Sequence, residues 1–564
     1  MSECGGQRPV LDFFLVYLQQ WEPIHSRMAT QSVLARTNRS LIEAEQRRRR
    51  TNRMIAISCI LGSFLLLGVL FAGLTTNDVA GDKTSSRRMA KRNLSPTFDS
   101  LIKDEDFALD DILNDMNFTN SAQVNPNVPP LSEPFPYGEQ PIRGINLGGW
   151  LVLEPFIKPS MFKPYNEGVE KVPTPEDPDR VVDEYTLTKK LGPKKSYDVL
   201  KEHYDTWVTE ETFARIAKLG FDHVRIPIGF WAIRTWEGDP YVPRLSLAYF
   251  LQALEWARKY GLRVNLDLHS APQSQNGWNH SGRQGQVRWL AKNTTHATEE
   301  ISQILEVIDE LSRIVVSPRY KDVVTIFGIL NEPNMRFMEV RQLLRFYDAA
   351  YRLVRTTGFD GYISVSEGFI GLNRWKGKLS QYGNMMLDAH IYHIFDANSM
   401  RSTYRDKVVN SVCNGAYNYV KSSQNLTTGF GATIIGEWSA ADTDCALWLN
   451  NVGQGSHWDG TYYEADGTKR EKACPKCSCK YRNDASLWPN QYREYLKMYT
   501  QGQMDAFSTS FGYFFWNFKI EGGTEPHWSY FDLVDLGIAP QNVNQPDFTC
   551  ADVSKVPAKF DMAA

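Results

Sequence analysis

The sequence predicts an α/β fold, a (β/α)8 or TIM barrel with insertions, and three observations lead to this prediction. Eight short runs rich in β-branched and aromatic residues occur between residues 143 and 516. Several are separated by stretches in which apolar residues return at intervals of three and four, as in helices. No glycine-rich phosphate loop follows the first run, which argues against an open dinucleotide-binding sheet. Eight strands with intervening helices on a long chain favour a closed barrel.

The alternation of strand and helix patterns indicates βα units around a parallel sheet. Strands are predicted at residues 143–146, 223–228, 263–269, 324–330, 362–365, 385–390, 432–436 and 512–516. Helices are predicted at residues 211–219, 247–260, 299–314 and 338–357.

An uncharged apolar run covers residues 54–74, and about 20 such residues cross the hydrocarbon core of a bilayer as a helix. A cleaved signal peptide fits less well, because the run is longer than a typical signal core and lies far from the N-terminus. Arginines at positions 47–50 and 53 precede it, and positive charge stays on the cytoplasmic side. We therefore expect a single-pass type II protein of the plasma membrane with an extracellular barrel, and a lipid bilayer as a partner of residues 54–74.

Four regions follow from this topology. The sequence from the membrane span to about residue 133 is polar, and residues 124–130 have the composition of an extended linker. We expect a cytoplasmic tail at 1–53, a signal anchor at 54–74, a stem at 75–133 and the barrel domain at 134–564.

The overall charge is nearly balanced. Lys and Arg number 62 against 65 Asp and Glu, for a net charge of -3. This balance gives no electrostatic basis for a nucleic-acid partner. We expect a monomer that needs no cofactor.

Six of the eight cysteines follow the predicted anchor, in an oxidising compartment where disulfides are expected. Cys474, Cys477 and Cys479 supply three thiols without an adjacent histidine, so we expect no metal there. Glycosylation sequons lie on the same side of the anchor. They begin at Asn93, Asn117, Asn279, Asn293 and Asn425.

Polar side chains collect where the predicted strands end, which is where active sites of such barrels lie. Each has an ordinary structural alternative, such as a surface cap or a core histidine, but unrelated structural roles would not place all of them at one end of the barrel. Glu332 and Glu437 end strands four and seven. The other candidates are Arg225, Asp267, His269, Asn331, His390, Tyr392 and Trp516.

Two glutamates facing each other across the barrel mouth are what glycoside cleavage requires. We expect Glu332 to act as the acid/base and Glu437 as the nucleophile. Arg225 and Tyr392 are expected to donate hydrogen bonds that lower the pKa of Glu437. Asn331 is expected to bind the sugar 2-hydroxyl.

These stretches resemble glycoside hydrolase family 5, and within it the fungal exo-β-1,3-glucanases. The resemblance covers roughly residues 135–550. It rests on Arg143-Gly-Ile-Asn-Leu-Gly-Gly-Trp, Val224-Arg-Ile-Pro-Ile-Gly, Asp267-Leu-His-Ser-Ala-Pro-Gln, Leu330-Asn-Glu-Pro, His390-Ile-Tyr and Gly436-Glu-Trp-Ser-Ala-Ala-Asp-Thr-Asp-Cys.

The resemblance implies the same two catalytic glutamates, supported by Arg225, Asn331, His390 and Tyr392. It further implies a terminal-sugar subsite lined by Glu154, His269 and Trp516, and aromatic clamps at the entrance formed by Trp278 and Phe395. It pairs Cys413 with Cys550, and Cys445 with one thiol of the 474–479 cluster.

Three departures from the relatives concern specificity. Ser366-Glu367 stands where the relatives carry a His-Asp pair, the segment 521–527 is longer, and a polar insertion covers about 160–195. We expect a retaining glycosidase that releases terminal glucose from β-1,3-glucan during cell-wall remodelling. The alternatives are a β-1,6-glucan or glucosyl-lipid hydrolase with the same mechanism, and a non-catalytic wall-binding scaffold.

Overall fold

The structure is a computed structural model that describes residues 107–166, 179–395, 397–464 and 467–561. Eight strands form its centre, and each lies within two residues of its predicted bounds at either end. They are β1 (Ile142–Asn146), β2 (His223–Ile228), β3 (Arg263–Leu268), β4 (Val324–Gly328), β5 (Tyr362–Ser366), β6 (Met385–His390), β7 (Thr433–Trp438) and β8 (Gly512–Phe515).

The strands pair in parallel in chain order, and β1 also pairs with β8, so the sheet closes into a barrel. This confirms the predicted barrel. Both faces of most strands are buried, as expected when helices cover the outside and side chains fill the inside.

Helices cover the outside of the barrel, and the four predicted ones are present with small shifts in their ends. The helices are α1 (Phe107–Asn114), α2 (Lys163–Asn166), α3 (Glu184–Leu191), α4 (Pro193–Trp207), α5 (Glu210–Lys218), α6 (Leu245–Tyr260), α7 (Ala297–Val315), α8 (Val340–Thr356), α9 (Ala397–Arg401), a π-helix (Asp406–Ala416), α10 (Tyr417–Gln424), α11 (Cys479–Asn483), α12 (Asn490–Phe507) and α13 (Tyr530–Asp535).

Part of the predicted stem packs against the barrel. Val128 and Leu131 are buried, and the Asn120 side chain donates to Asp322 Oδ2 at 2.8 Å. Tyr137 follows, and its hydroxyl lies 2.8 Å from His223 Nε2 at the start of β2. The packed structure therefore begins before the predicted boundary at residue 134, because apolar side chains within the polar segment close the amino-terminal end of the barrel.

Within the described residues, three disulfides cross-link helices and loops of the barrel domain. Cys413 pairs with Cys550, and Cys445 pairs with Cys479. The third bond joins Cys474 to Cys477. These pairs agree with the pairing that the family resemblance implies, and they resolve which thiol of the cluster Cys445 takes.

The predicted tail and anchor at 1–53 and 54–74, and the stem up to residue 106, lie outside the described residues. Among the helices of the described ranges, none is both long and apolar enough to cross a bilayer.

Candidate active site

Arg225 is the buried charge around which the site is built. It lies on β2, and its Nη1 donates to Glu437 Oε1 at 2.8 Å and to Asn146 Oδ1 at 3.0 Å. Its Nη2 donates to Asn331 Oδ1 at 2.9 Å and lies 3.1 Å from Asp267 Oδ2. Burial alone would lower the pKa of Arg225, but the carboxylates of Asp267 and Glu437 raise it, so the guanidinium stays charged.

Glu437 is held at the end of β7 from two sides. Its Oε2 accepts a hydrogen bond from the Tyr392 hydroxyl at 3.0 Å, and His390 Nδ1 lies 3.4 Å from the same oxygen. The preceding Gly436 donates its backbone N–H to Asp388 Oδ1 at 2.9 Å. A Cβ at position 436 would lie 2.2 Å from that oxygen, so only glycine lets the aspartate fix the backbone beside Glu437.

Glu332 lies opposite, in the turn after β4. Its backbone has a φ of 43°, a left-handed conformation that is uncommon for a residue with a side chain and typical of functional sites. Glu332 Oε1 lies 2.5 Å from His390 Nδ1, and Oε2 lies 3.3 Å from His280 Nε2.

The two candidate carboxylates come close together. One oxygen of Glu332, one oxygen of Glu437 and a ring nitrogen of His390 all lie within 4.8 Å of one another. Retaining glycosidases have carboxyl groups about 5 to 5.5 Å apart, whereas inverting enzymes need about 6.5 to 9.5 Å to fit a water. The spacing here suits the retaining class.

Burial and His390 together set the charges of the pair. For Glu332, burial would raise the pKa, but the positive charge of His390 and its hydrogen bond lower it to about 2. For Glu437, burial raises the pKa despite the attraction of His390 and Arg225. The expected lowering of the Glu437 pKa is therefore wrong, because desolvation exceeds the effect of its donors.

His390 holds the proton between them. Burial would lower its pKa, but Glu437 and Glu332 raise it to about 9. His390 is thus an imidazolium at neutral pH, one hydrogen bond away from the candidate acid.

The predicted sugar-subsite residues lie next to this pair. His269 Nδ1 is 2.6 Å from Asp267 Oδ2, and its ring stacks on Trp516 with centroids 6.0 Å apart. Asn331 Nδ2 lies 3.4 Å from His269 Nε2. Glu154 is buried, and burial together with the charges of the two catalytic candidates raises its pKa well above the usual value.

The two predicted clamp residues lie on different loops. Trp278 is half-buried and packs edge-on against Phe369, with ring centroids 5.2 Å apart. Phe395 is 62% exposed and packs edge-on against Tyr392 at 5.8 Å. Glu367 stands where the relatives carry the Asp of a His-Asp pair, and it fixes the position of Phe369. The Glu367 carboxylate accepts the backbone N–H of Phe369 at 2.9 Å.

Sequence reasoning missed two residues that the structure brings into the site. Asn146 ends β1 and bonds Arg225, and it could have been found as the polar residue at the end of the first strand. His280 lies in a short 3-10 turn after β3 and contacts Glu332. No strand end marks it, so its role depends on the fold of the loop.

Glu332, His390 and Glu437 also form, within the described part of the chain, a group of donors close enough to hold a metal ion. Binding would require a neutral imidazole. With its pKa raised to about 9, His390 carries a proton at neutral pH, so the donor set fits a metal poorly. The expectation that no metal or other cofactor is needed stays a prediction.

A parallel eight-stranded barrel with two close carboxylates at its carboxyl end is the arrangement through which glycoside hydrolases work. Residues 194–467 match a family model described as cellulase (glycosyl hydrolase family 5).

The chain is similar to curated fungal proteins named probable glucan 1,3-beta-glucosidase D. It is 44% identical to the protein of Aspergillus terreus over 77% of this chain and 50% of the relative. It is 45% identical to that of Aspergillus clavatus, over 77% and 51% of the two chains. The chain thus spans about half the length of the curated relatives it matches.

A rutinosidase from Aspergillus niger, known from its crystal structure, has a similar fold. The TM-score is 0.52 at 19% identity, over 71% of this chain and 98% of the rutinosidase chain. This likeness concerns the fold alone.

The first prediction concerns the pH dependence of stability. Because the pKa of His390 rises from about 6.5 in the unfolded chain to about 9 in the folded protein, its charge stabilises the fold fully below about pH 6.5, and this contribution is lost as the pH rises to about 9. The difference in thermal unfolding temperature between wild type and His390→Asn should therefore shrink across this window. A difference that stays constant from pH 6 to 9.5 would contradict the assignment.

Proposed function

We propose that this protein is a retaining glycoside hydrolase that releases terminal glucose from β-1,3-glucan in the fungal cell wall. The observation that carries the proposal is the close pair of Glu332 and Glu437 carboxylates, in which Arg225 and Tyr392 donate to Glu437 and His390 contacts Glu332 most closely. The match to glycosyl hydrolase family 5 and the names of the relatives support the substrate class.

In the first step, a Glu437 oxygen attacks the anomeric carbon of the terminal glucose and forms a covalent glycosyl ester. Arg225 and Tyr392 direct the carboxylate, since each occupies one of its two oxygens. Glu332 protonates the departing glycosidic oxygen. In the second step Glu332 deprotonates a water, which attacks the same carbon and restores Glu437.

His390 supplies the proton that the ionised Glu332 needs to act as an acid. Its Nδ1 lies 2.5 Å from Glu332 Oε1. A sugar seated between the glutamates removes water, which raises the energy of the charged carboxylate. The proton then moves from His390 to Glu332 and on to the leaving oxygen. It returns to His390 when Glu332 deprotonates the water.

Asn331 and Trp516 would bind the glucose itself. The Arg225 guanidinium occupies Asn331 Oδ1, which aims the amide so that Nδ2 can donate to the sugar 2-hydroxyl. This bond strengthens as positive charge develops at the anomeric carbon. The Trp516 indole offers an apolar face for a sugar ring.

We also propose the type II topology, with residues 54–74 in the plasma membrane and the barrel outside. The uncharged run and its preceding arginines support it. Three disulfides within the barrel domain fit an oxidising compartment.

The reaction is tested by the products released from laminarin by the fragment 93–564. Glucose should appear as the sole early product, and it should appear as the β-anomer because two displacements retain configuration. The anomer is followed by proton NMR before mutarotation. Early α-glucose would exclude retention. Release of glucose from β-1,6-glucan or a glucosyl lipid but not from laminarin would mean that one of these is the substrate instead of β-1,3-glucan.

Two amide variants separate the roles of the glutamates. Glu437→Gln should nearly abolish turnover of every substrate, because an amide is a poor nucleophile. Glu332→Gln should lower glucan hydrolysis by roughly 10²–10⁴-fold, but it should spare the first step with dinitrophenyl β-glucoside, whose leaving group needs no proton. If Glu437→Gln instead spared the first step with dinitrophenyl β-glucoside and Glu332→Gln abolished all turnover, Glu332 would be the nucleophile and Glu437 the acid/base.

Glycan occupancy tests the topology. Asn117, Asn293 and Asn425 are exposed, whereas the Asn279 side chain is buried in its 3-10 turn. The full chain expressed in a fungal secretory host should therefore carry glycans at the first three sites and none at Asn279. Peptide mass spectrometry after deglycosylation in heavy-oxygen water reads the occupancy. An unglycosylated barrel domain would contradict the extracellular placement.

A further inference from the structure

Glu521, in the loop after β8, ties that loop to the loop after β1. Its Oε2 accepts the backbone N–H of Ser160 at 2.7 Å, and its Oε1 accepts the Ser160 hydroxyl at 2.6 Å. Lys158 Nζ forms an ion pair with Oε1. The backbone N–H of Glu521 donates to Ile157 O at 3.0 Å. We name these four residues the β1–β8 clasp.

The clasp is more than a loose surface ion pair. The side chains of Lys158 and Glu521 are 21% and 22% exposed, so water screens their attraction only partly. Burial would raise the pKa of Glu521, but its bonds with Lys158 and Ser160 lower it. Gly522 and Gly523 follow with φ values of 75° and 64°, which permit the tight turn that brings the carboxylate to β1.

The clasp lies directly behind the predicted terminal-sugar subsite. Glu154 accepts the backbone N–H groups of Ile157 and Lys158 on its carbonyl oxygen. Ile157 and the Trp516 ring also lie against the same residue, Gly148, where a Cβ would approach both within 3.1 Å. Any movement of the clasp therefore moves the wall formed by Glu154 and Trp516.

The barrel order tells which side of the cleft the clasp closes. β4, which Glu332 follows, lies across the barrel from β8. Because Glu332 protonates the departing oxygen, the leaving chain exits towards the β4 side, and the cleaved sugar lies towards β8 and β1. On the exit side, Phe337 in the segment after β4 is 56% exposed. The clasp thus joins the loops on the side of the barrel where a second glucose would otherwise extend.

We propose that the β1–β8 clasp, with Glu521 at its centre, is a specificity determinant that restricts cleavage to chain ends. It leaves room for one glucose between the catalytic glutamates and the wall of Glu154 and Trp516. Glu521 acts through this wall and takes no part in the chemical steps. The inference rests on the proposed function and deepens it by assigning the exo mode to named residues.

The test compares two forms of a soluble linear β-1,3-glucan. Periodate cleaves vicinal diols, so it oxidises only the chain ends and spares the 3-linked interior. The wild-type fragment 93–564 should hydrolyse the intact glucan and leave the end-oxidised glucan untouched. Glu521→Ala should raise the ratio of activity on oxidised to intact glucan at least about tenfold, and its products should include oligosaccharides.

Matched variants keep the outcome interpretable. Glu521→Gln keeps one acceptor oxygen for Ser160 but loses the charge that pairs with Lys158. Glu521→Gln and Lys158→Met should therefore both shift the ratio in the same direction as Glu521→Ala but less. Glu494→Ala removes a Glu–Lys pair with Lys559 on the outer surface and should change nothing. Turnover of dinitrophenyl β-glucoside verifies that each variant is folded.

The possible failures differ from one another. No hydrolysis of either glucan by the wild type would refute the proposed function. Wild-type hydrolysis of the end-oxidised glucan would show that the clasp does not close the cleft. If the wild type is end-specific while both Glu521→Ala and Lys158→Met keep its ratio, the clasp is not the determinant.

Discussion

The site depends on one interaction, the bond between the buried guanidinium of Arg225 and the carboxylate of Glu437. A charge inside a barrel is costly unless it is paired and fully hydrogen-bonded. Arg225 meets this condition with partners from β1, β3, β4 and β7, so it holds four parts of the site at once. Removing it would leave Glu437 and Asp267 buried without the guanidinium that both contact.

The need to pair buried charges also explains the position of His390. Glu332 and Glu437 repel each other at this distance, and in a buried site such repulsion is strong. The imidazolium of His390 lies between them and offsets it. The site thereby keeps two carboxylates close enough for a double displacement, and it stores the proton that the first step consumes.

The sequence was sufficient for the barrel and for most of the site, because strand-end residues converge in a closed parallel barrel whatever the details of the loops. Glu332 and Glu437 followed from that rule, as did Arg225 and His390. His280 did not, since a loop turn brings it to Glu332. The predicted lowering of the Glu437 pKa was also wrong. The sequence indicates which donors surround a carboxylate, but it does not show how deeply that carboxylate is buried. The packing of residues 107–133 was missed because its few apolar side chains are scattered through a polar segment.

The central claim is that Glu437 becomes covalently attached to the sugar. Incubation with 2-deoxy-2-fluoro-β-glucosyl fluoride tests it most directly. The fluorine at C2 slows both steps, whereas the activated fluoride leaving group speeds the first step alone, so the covalent intermediate accumulates. Mass spectrometry of the digested protein should find one fluoroglucosyl group on the peptide containing Glu437, and none in Glu437→Gln. A label on Glu332, or continued turnover of glucan with no labelled peptide, would contradict the account.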